Sequence, residues 1–267
     1  MSGNFLISLD FELMWGVRDH RSVADYGDAV LGGRIAIPEI LTRFQSSGIR
    51  ATWATVGLLF ARNRDEMLEY APKILPGYAN STFCPYRELE NGSVGENERL
   101  DPLHFGLSLI DQIVETPGQE IATHTYSHYY CLESGQTNTA FEADLLSARA
   151  IAEKRGLTLR SLVYPRNQNA PEHAQIAAAL GIDVYRGDAP GWLYRSRSND
   201  RVKLPLRLLR ILDGVLPISN TLSLKHTKNG IATNVPASRF LRPWLKNSGF
   251  YNIMHIRRIQ NEIKAAA

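Results

Sequence analysis

Only two cysteines, Cys84 and Cys131, occur in 267 residues, and they lie far apart in sequence. Two such residues cannot build a disulfide framework, and they predict two reduced thiols in a cytoplasmic protein. No run of 18 apolar residues occurs, so no membrane-spanning helix is expected. The N-terminus, MSGNFLISLDFEL, has no basic region, and Asp10 interrupts its short apolar run. It does not read as a secretory signal. Low-complexity tracts and obvious internal repeats are also missing, as in an ordinary globular chain.

What is present suits a globular enzyme. The chain is 44% hydrophobic and 21% charged, and long enough to bury a sizeable core as a single domain over residues 1–267. The net charge of +3 conceals an asymmetry. Residues 1–194 carry a balance of −8, and residues 195–267 a balance of +11. A basic segment of this size implies an anionic partner, such as phosphate groups or an anionic lipid surface. Nucleic acid is not expected, since no recognised binding motif accompanies the charge.

Hydrophobic periodicity alternates between strand and helix along most of the chain. Strands are expected at 4–13, 49–57, 119–124, 161–167 and 183–188, and helices at 37–48, 58–71, 103–115, 139–156 and 172–181. Residues 73–101, rich in Pro, Gly, Asn and Ser, read as a long excursion outside the core. The alternation predicts an α/β fold with parallel strands. In such folds the chemistry gathers at the carboxyl ends of the strands.

The polar clusters fall at those ends. Asp10 and Glu12, in SLDFEL, stand two apart, so on a strand they share a side about 6–7 Å apart. Two carboxylates ending an apolar strand need a compensating cation or open solvent. His124 and His128, in THTYSHYYC, follow the next such strand. A lone H-x-x-x-H is as compatible with a polar loop. Two neutral imidazoles and one carboxylate, however, form an open metal site with room for water. One acid would then bind the metal and the other act on the bound water. Arg166, in VYPRNQ, ends a further strand where a guanidinium can hold a carboxylate, or simply face solvent. Asp188 ends another in YRGDAPGWLY. The nearby Trp192 either belongs to the core or stacks on a sugar face.

Together these segments resemble the polysaccharide deacetylases, carbohydrate esterase family 4 with its NodB-homology domain. The likeness covers residues 4–192, through SLDFELMWG, THTYSHYYC and VYPRNQ. It is closest to the branch linked to bacterial surface-polysaccharide synthesis. The resemblance implies an α/β fold built as a distorted, incomplete (β/α)7-type barrel. It implies Asp10 as catalytic base, Glu12, His124 and His128 as metal ligands, and Arg166 as the arginine orienting the base, with Asp188 as its partner. The family has two adjacent aspartates where this chain has Asp-Phe-Glu, which leaves the division of roles within Asp10 and Glu12 open. Trp15, in LMWG, is expected to line the substrate pocket beside Trp192.

The implied reaction is metal-assisted removal of an N-acetyl or other N-acyl group from an amino sugar. Zinc is the expected ion, with cobalt, manganese or iron as substitutes. The substrate is an N-acetylated sugar, nucleotide-linked, lipid-linked or polymeric. Two other readings compete. An iron(II) oxygenase also uses two histidines and a carboxylate, and a deacetylase-like protein can bind sugar without turnover. The segment RVKLPLRLLRILDGVLPIS at 201–219 interleaves Arg201, Lys203, Arg207 and Arg210 with leucines. It reads either as an interfacial helix on anionic lipid or as a helix docked on the barrel with its cations in solvent. Such contact would make the protein peripheral to the inner face of the membrane. The family takes its general acid from a histidine in an L-x-H-like pattern, matched loosely here by His226 and His255. Neither sits in convincing context, because His226 leads into a turn and His255 opens a helical pattern. The expectation is that the chain lacks a C-terminal segment carrying the acid, or that another residue replaces it.

Overall fold

Strong strand–helix alternation over the first two-thirds of the chain builds one curled sheet with helices outside it. The computed structural model describes residues 5–188, 191–198, 204–216, 227–228, 232–242, 244 and 246–266. Its strands are β1 (Ser8–Phe11), β2 (Ala51–Thr55), β3 (Gln119–Thr123), β4 (Ser161–Val163), β5 (Val184–Gly187), β6 (Thr227–Lys228) and β7 (Thr233–Pro236). They lie in the order β1-β2-β3-β4-β5-β7-β6. All neighbours are parallel except the final β7–β6 pair. The helices are α1 (Val23–Ser47), α2 (Arg64–Glu69), α3 (Tyr86–Glu90), α4 (Leu107–Glu115), α5 (Asn138–Lys154), α6 (Pro171–Ala179), α7 (Leu204–Asp213) and α8 (Gly249–Ala266).

Register sorts the strand residues into two faces. Phe11, Trp53, Ile121, Leu162 and Tyr185 are buried in the main core, with Leu9 packed against it. The opposite face carries Ser8, Asp10, Thr52, Glu120, Ser161 and Arg186, and its polar groups bond one another. Glu120 accepts from Thr52 (2.6 Å) and from Ser161 (2.5 Å), tying β2, β3 and β4 together. Arg186 on β5 reaches Ser8 and Asp10 on β1 at 2.9 Å. In a flat sheet four strand spacings would separate those strands by about 19 Å. The ion pair therefore requires the sheet to curl, and the architecture is a distorted, incomplete (β/α) barrel with a polar interior.

Several boundaries differ from the sequence expectation for local reasons. α1 is 25 residues long and begins at Val23, well before the periodic stretch at 37–48. A reciprocal capping box starts it: Ser22 accepts from the Asp25 backbone while Asp25 accepts from that of Ser22. Residues 58–71 do not form one helix. A 3₁₀ turn at Gly57–Phe60 is followed by α2, whose start is capped by Asn63. The 73–101 excursion contributes to the interior after all. Tyr86, Leu89 and Val94 join the main core, and Tyr78 and Phe83 form a small second core with Tyr130. Gly135 makes that docking possible. It sits at φ +92°, and a Cβ there would lie 1.9 Å from the Gly77 carbonyl oxygen.

In the basic C-terminal region, polar contacts join the elements. Buried Asp213 accepts from Tyr194 (2.6 Å), Arg239 (3.0 Å) and Arg258 (3.5 Å). α7 turns Leu204, Leu208, Ile211 and Leu212 outward. No described helix is long and apolar enough to cross a membrane.

Gly135→Ala should destabilise the fold by roughly 1–3 kcal/mol, because alanine is strained at that φ and collides with backbone. A urea midpoint equal to the wild type's would show that the two segments do not touch. Glu66 gives a pH-dependent case. Burial raises its pKa, but the Arg62 backbone and the Lys154 and Arg155 side chains outweigh this and lower it overall. A depressed folded-state value contributes stability above the unfolded pKa of about 4.3, and that contribution disappears as pH falls through the folded value. Glu66→Gln should destabilise by about 2 kcal/mol near neutrality, and the gap should close in acid. Urea titrations across that range measure it.

Candidate metal centre

Three side chains converge at the carboxyl ends of β1 and β3. Glu12 directly follows β1, His124 directly follows β3, and His128 lies one tight turn later. The Glu12 Oε2 atom is 3.3 Å from His124 Nε2 and 3.0 Å from His128 Nε2. All three ligand atoms lie within 4.8 Å of one another. Both histidines are buried and Glu12 is partly exposed, so the site is open on one side.

The turn that presents His128 is held from several directions. Thr125 and His128 have positive φ, 64° and 58°, a region that non-glycine residues occupy only when the surroundings compel it. Asp144 on α5 is fully buried and accepts from the backbones of Tyr126 (2.6 Å) and Ser127 (3.2 Å), and from the Ser127 hydroxyl. Burial pushes its carboxyl up to about 7, against those hydrogen bonds. Thr125 Oγ accepts from the Tyr129 backbone at 2.7 Å. Gly16 clears the other wall, since a Cβ there would fall 2.0 Å from the Glu12 side chain.

Hydrogen bonding decides which ring nitrogens face inward. His124 Nδ1 lies 2.8 Å from the Val163 carbonyl oxygen at the end of β4. A carbonyl only accepts, so Nδ1 carries a proton and Nε2 is the nitrogen turned to Glu12. His128 Nδ1 lies 3.1 Å from the Tyr130 hydroxyl. Burial lowers the pKa of His128, an effect that Glu12 partly offsets, so it favours the neutral ring. Burial raises the pKa of Glu12, but hydrogen bonds and charge from both histidines overcome this and hold it well below the usual carboxylate range. Both Nε2 atoms face the Glu12 oxygen, so a cation held there would take the place of the ring–carboxylate contacts. The donor set of two nitrogens and one oxygen fits a borderline divalent ion such as zinc.

The remaining expected residues fall around this centre in a different pairing. Asp10 faces the barrel interior and takes a bidentate contact from Arg186, at 2.9 and 3.0 Å, rather than from Arg166. Arg166 and Asn167 both sit at φ 54°, in a turn after β4 that aims Arg166 at Asp19, 2.5 Å away. Asp188 does not meet Arg166 either; it braces its own loop by accepting from the Ser196 backbone (2.7 Å) and hydroxyl (2.5 Å). Trp15 is a core residue rather than a pocket wall. It is fully buried, packs edge-on against His104 and donates to that residue's carbonyl at 2.8 Å. Trp192 is 63% exposed on a loop and is not a core residue. His255 is buried with both ring nitrogens engaged, by the Gly214 carbonyl (2.9 Å) and the Arg242 backbone (3.1 Å). It therefore has no proton to offer a substrate. His226 lies outside the described residues.

Residues that periodicity did not single out complete the surroundings. The Asp19 side chain is buried and accepts from Arg166, His20 (2.9 Å) and Tyr130 (3.3 Å). Burial raises its pKa, but His20 and Arg166 outweigh this and lower it overall. Tyr130 lies under the Arg166 guanidinium, 4.3 Å from ring centre. The available signals were the close spacing of Tyr130 to His128 and the second acid in WGVRDH. Neither announces its partner.

No family model and no curated protein matches the sequence. Solved structures do resemble the fold. A provisionally named polysaccharide deacetylase from Mycobacterium smegmatis aligns over 98% of this chain and 73% of its own, with a TM-score of 0.51 and 11% identity. IcaB from Ammonifex degensii aligns over 68% of this chain and 58% of its own, with a TM-score of 0.38 and 17% identity. A CE4 family pseudoenzyme from Bacillus anthracis aligns over 67% of this chain, with a TM-score of 0.37 and 13% identity, and the match spans 42% of that protein. The last two fits are too loose to argue from. The Mycobacterium smegmatis protein matches along nearly the whole chain, and on that likeness the protein has the fold of the polysaccharide deacetylases.

Proposed function

We propose that this chain is a metal-dependent hydrolase of the polysaccharide deacetylase family, removing an N-acyl group from an amino sugar during polysaccharide or glycolipid synthesis. The observation that carries this reading is the convergence of Glu12, His124 and His128 with the His124 Nδ1 proton turned away from the centre. A divalent ion held there, zinc by preference, would polarise the acyl carbonyl and lower the pKa of a bound water. Asp10 takes the proton from the attacking water. Arg186 holds the Asp10 carboxylate by two parallel bonds, fixing its orientation. Trp192, exposed on the loop after β5, offers an aromatic face to a sugar.

Single substitutions separate ligands from base. His124→Ala and His128→Ala should each lose most bound metal and all activity. Asp10→Asn should retain the metal while turnover on N-acetylated sugars falls on the order of 10²–10⁴-fold. Metal analysis with acetate release measures both. Loss of metal in Asp10→Asn equal to that in His124→Ala would reverse the roles of Asp10 and Glu12. Turnover that needs oxygen would replace the hydrolase with an iron(II) oxygenase, and metal and sugar binding without acetate release would replace it with a non-catalytic protein.

The same reading puts α7 on the inner face of a membrane, close to a lipid-linked substrate. Its outward Leu204, Leu208, Ile211 and Leu212 form one stripe, with exposed Arg207 beside them. Arg210 instead turns inward to the Leu193 carbonyl at 2.8 Å, and Arg201 and Lys203 lie outside the described residues. An apolar stripe edged by Arg207, in a segment of +11 net charge, suits anionic lipid. Vesicles of anionic lipid should pellet the protein, salt should release it, and Leu208→Glu with Leu212→Glu should abolish the effect. Equal pelleting with neutral vesicles would overturn the electrostatic part.

A further inference from the structure

Three arginines gather where the loop after β5 meets α7 and the segment after β7. In this region of +11 net charge the two described carboxylates, Asp213 and Glu262, are both taken by Arg239 and Arg258. Among the described residues, no carboxylate pairs with Arg197, Arg210 or Arg242, and their guanidinium groups donate to backbone carbonyls instead. Arg197 reaches the carbonyls of Arg195 (3.0 Å) and Trp192 (2.7 Å). Arg210, turned inward from α7, reaches Leu193 at 2.8 Å and the same Arg195 oxygen at 3.5 Å. Arg242 donates to the Arg210 carbonyl at 3.1 Å.

Two guanidinium groups meeting at one carbonyl oxygen repel each other, and the carbonyl dipole offsets only part of that charge. Burial lowers the Arg210 pKa, and the charges of Arg197 and Arg242 lower it further, against Tyr194 and Asp188. Asp188 is already engaged by Ser196. A guanidinium has five N–H donors, of which these three use one or two each. All three side chains belong to half-buried residues, so the remaining donors are open to a ligand. Converging cations with donors free and no carboxylate between them fit a phosphate, which accepts parallel bonds from a guanidinium fork.

The cluster is tied to the mouth of the barrel. The Ser196 hydroxyl donates to the Asn167 carbonyl, and Arg186, which holds Asp10, donates to the Asn167 side chain at 3.2 Å. The Arg197 carbonyl accepts from Gln168 Nε2 at 3.5 Å, and Gln168 Oε1 accepts from the Leu132 backbone just after the His128 turn. The arginine loop is thereby bonded to the segments beside the base and beside a metal ligand.

We propose that Arg197, Arg210 and Arg242 bind the phosphate of the substrate's carrier, so that the amino sugar is presented as a phosphate or diphosphate ester rather than within a neutral polymer. This deepens the deacetylase reading above and rests on it for the sugar, whereas the anion site stands on its own geometry. A nucleoside diphosphate and a polyprenyl diphosphate share the chemistry that the three arginines recognise.

Calorimetry with inorganic pyrophosphate at physiological salt tests the site directly. Wild type should bind it, and Arg197→Gln and Arg210→Gln should each weaken binding roughly 10- to 100-fold. Arg242→Gln should weaken it as well, and it serves where the loop variants do not fold. Arg149→Gln, which removes an exposed arginine of α5 paired with Glu153 at 3.0 Å, should change nothing. No binding by wild type, or undiminished binding by the folded variants, overturns the proposal; the second result would place pyrophosphate elsewhere, on the metal centre for example. Acetate release is then compared for N-acetylglucosamine on uridine diphosphate, on polyprenyl diphosphate and in neutral chitotetraose. Faster release from either ester supports the proposal and identifies the carrier, and a preference for the neutral oligosaccharide overturns it. Arginine-dependent pyrophosphate binding with no acetate from any of the three would overturn the deacetylase reading and the carrier role, and leave the anion site standing.

Discussion

Two buried imidazoles facing one carboxylate oxygen make an arrangement that the chain cannot hold for free. Polar groups packed this closely away from water need a hydrogen bond or a cation between them, and burial opposes charging His128. The surroundings therefore have to impose the geometry from outside. They do so with a buried aspartate on α5 gripping the backbone of the turn, two residues at positive φ, and a carbonyl and a phenol behind the rings. This local conflict is what a cation resolves, and much of the neighbouring structure can be understood as maintaining it.

Charge is managed in the same spirit on the barrel wall. Asp10 and Asp19 are each matched to an arginine from a different strand end, Arg186 and Arg166 respectively. The two pairs do different mechanical work. Arg186 spans from β5 to β1 over a row that includes Ala54 and Ala122, where larger residues would fill the gap. It thereby helps close the sheet on itself. Arg166 spans between loops rather than strands, and joins the segment after β1 to the turn carrying His128.

The Pro- and Gly-rich excursion at 73–101 links this electrostatic frame to packing. Arg18 donates to the Phe83 carbonyl at 2.6 Å and to Glu88 at 3.0 Å, fastening the excursion beside Asp19. Phe83 and Tyr78 then close over Tyr130. An apparently irregular stretch thus supplies the apolar cover for a polar chain of contacts. Removing water from that chain strengthens each bond in it and fixes its direction.

Much was legible in the sequence because it depends on local order. Alternation of strand and helix specified a parallel α/β sheet, since apolar residues at periods of two and 3.6 can bury only one face each. The placement of Glu12, His124 and His128 after strands was equally plain, because parallel strands bring their carboxyl ends to one side. Pairings were not legible. Asp10 with Arg186 and Asp19 with Arg166 span separations of 176 and 147 residues, and any acid could have met any base along such distances. Trp15 read as a pocket wall from its neighbours in sequence, yet its indole turns into the core to reach His104. Tyr130 shows the same division. Its two-residue spacing from His128 is sequence, but its contacts come from Asp19, Arg166 and Phe83 on three other segments. Local periodicity determines which residues reach the site; only the closed tertiary structure decides which of them touch, because hydrogen bonds and ion pairs are settled by distances that chain order does not encode.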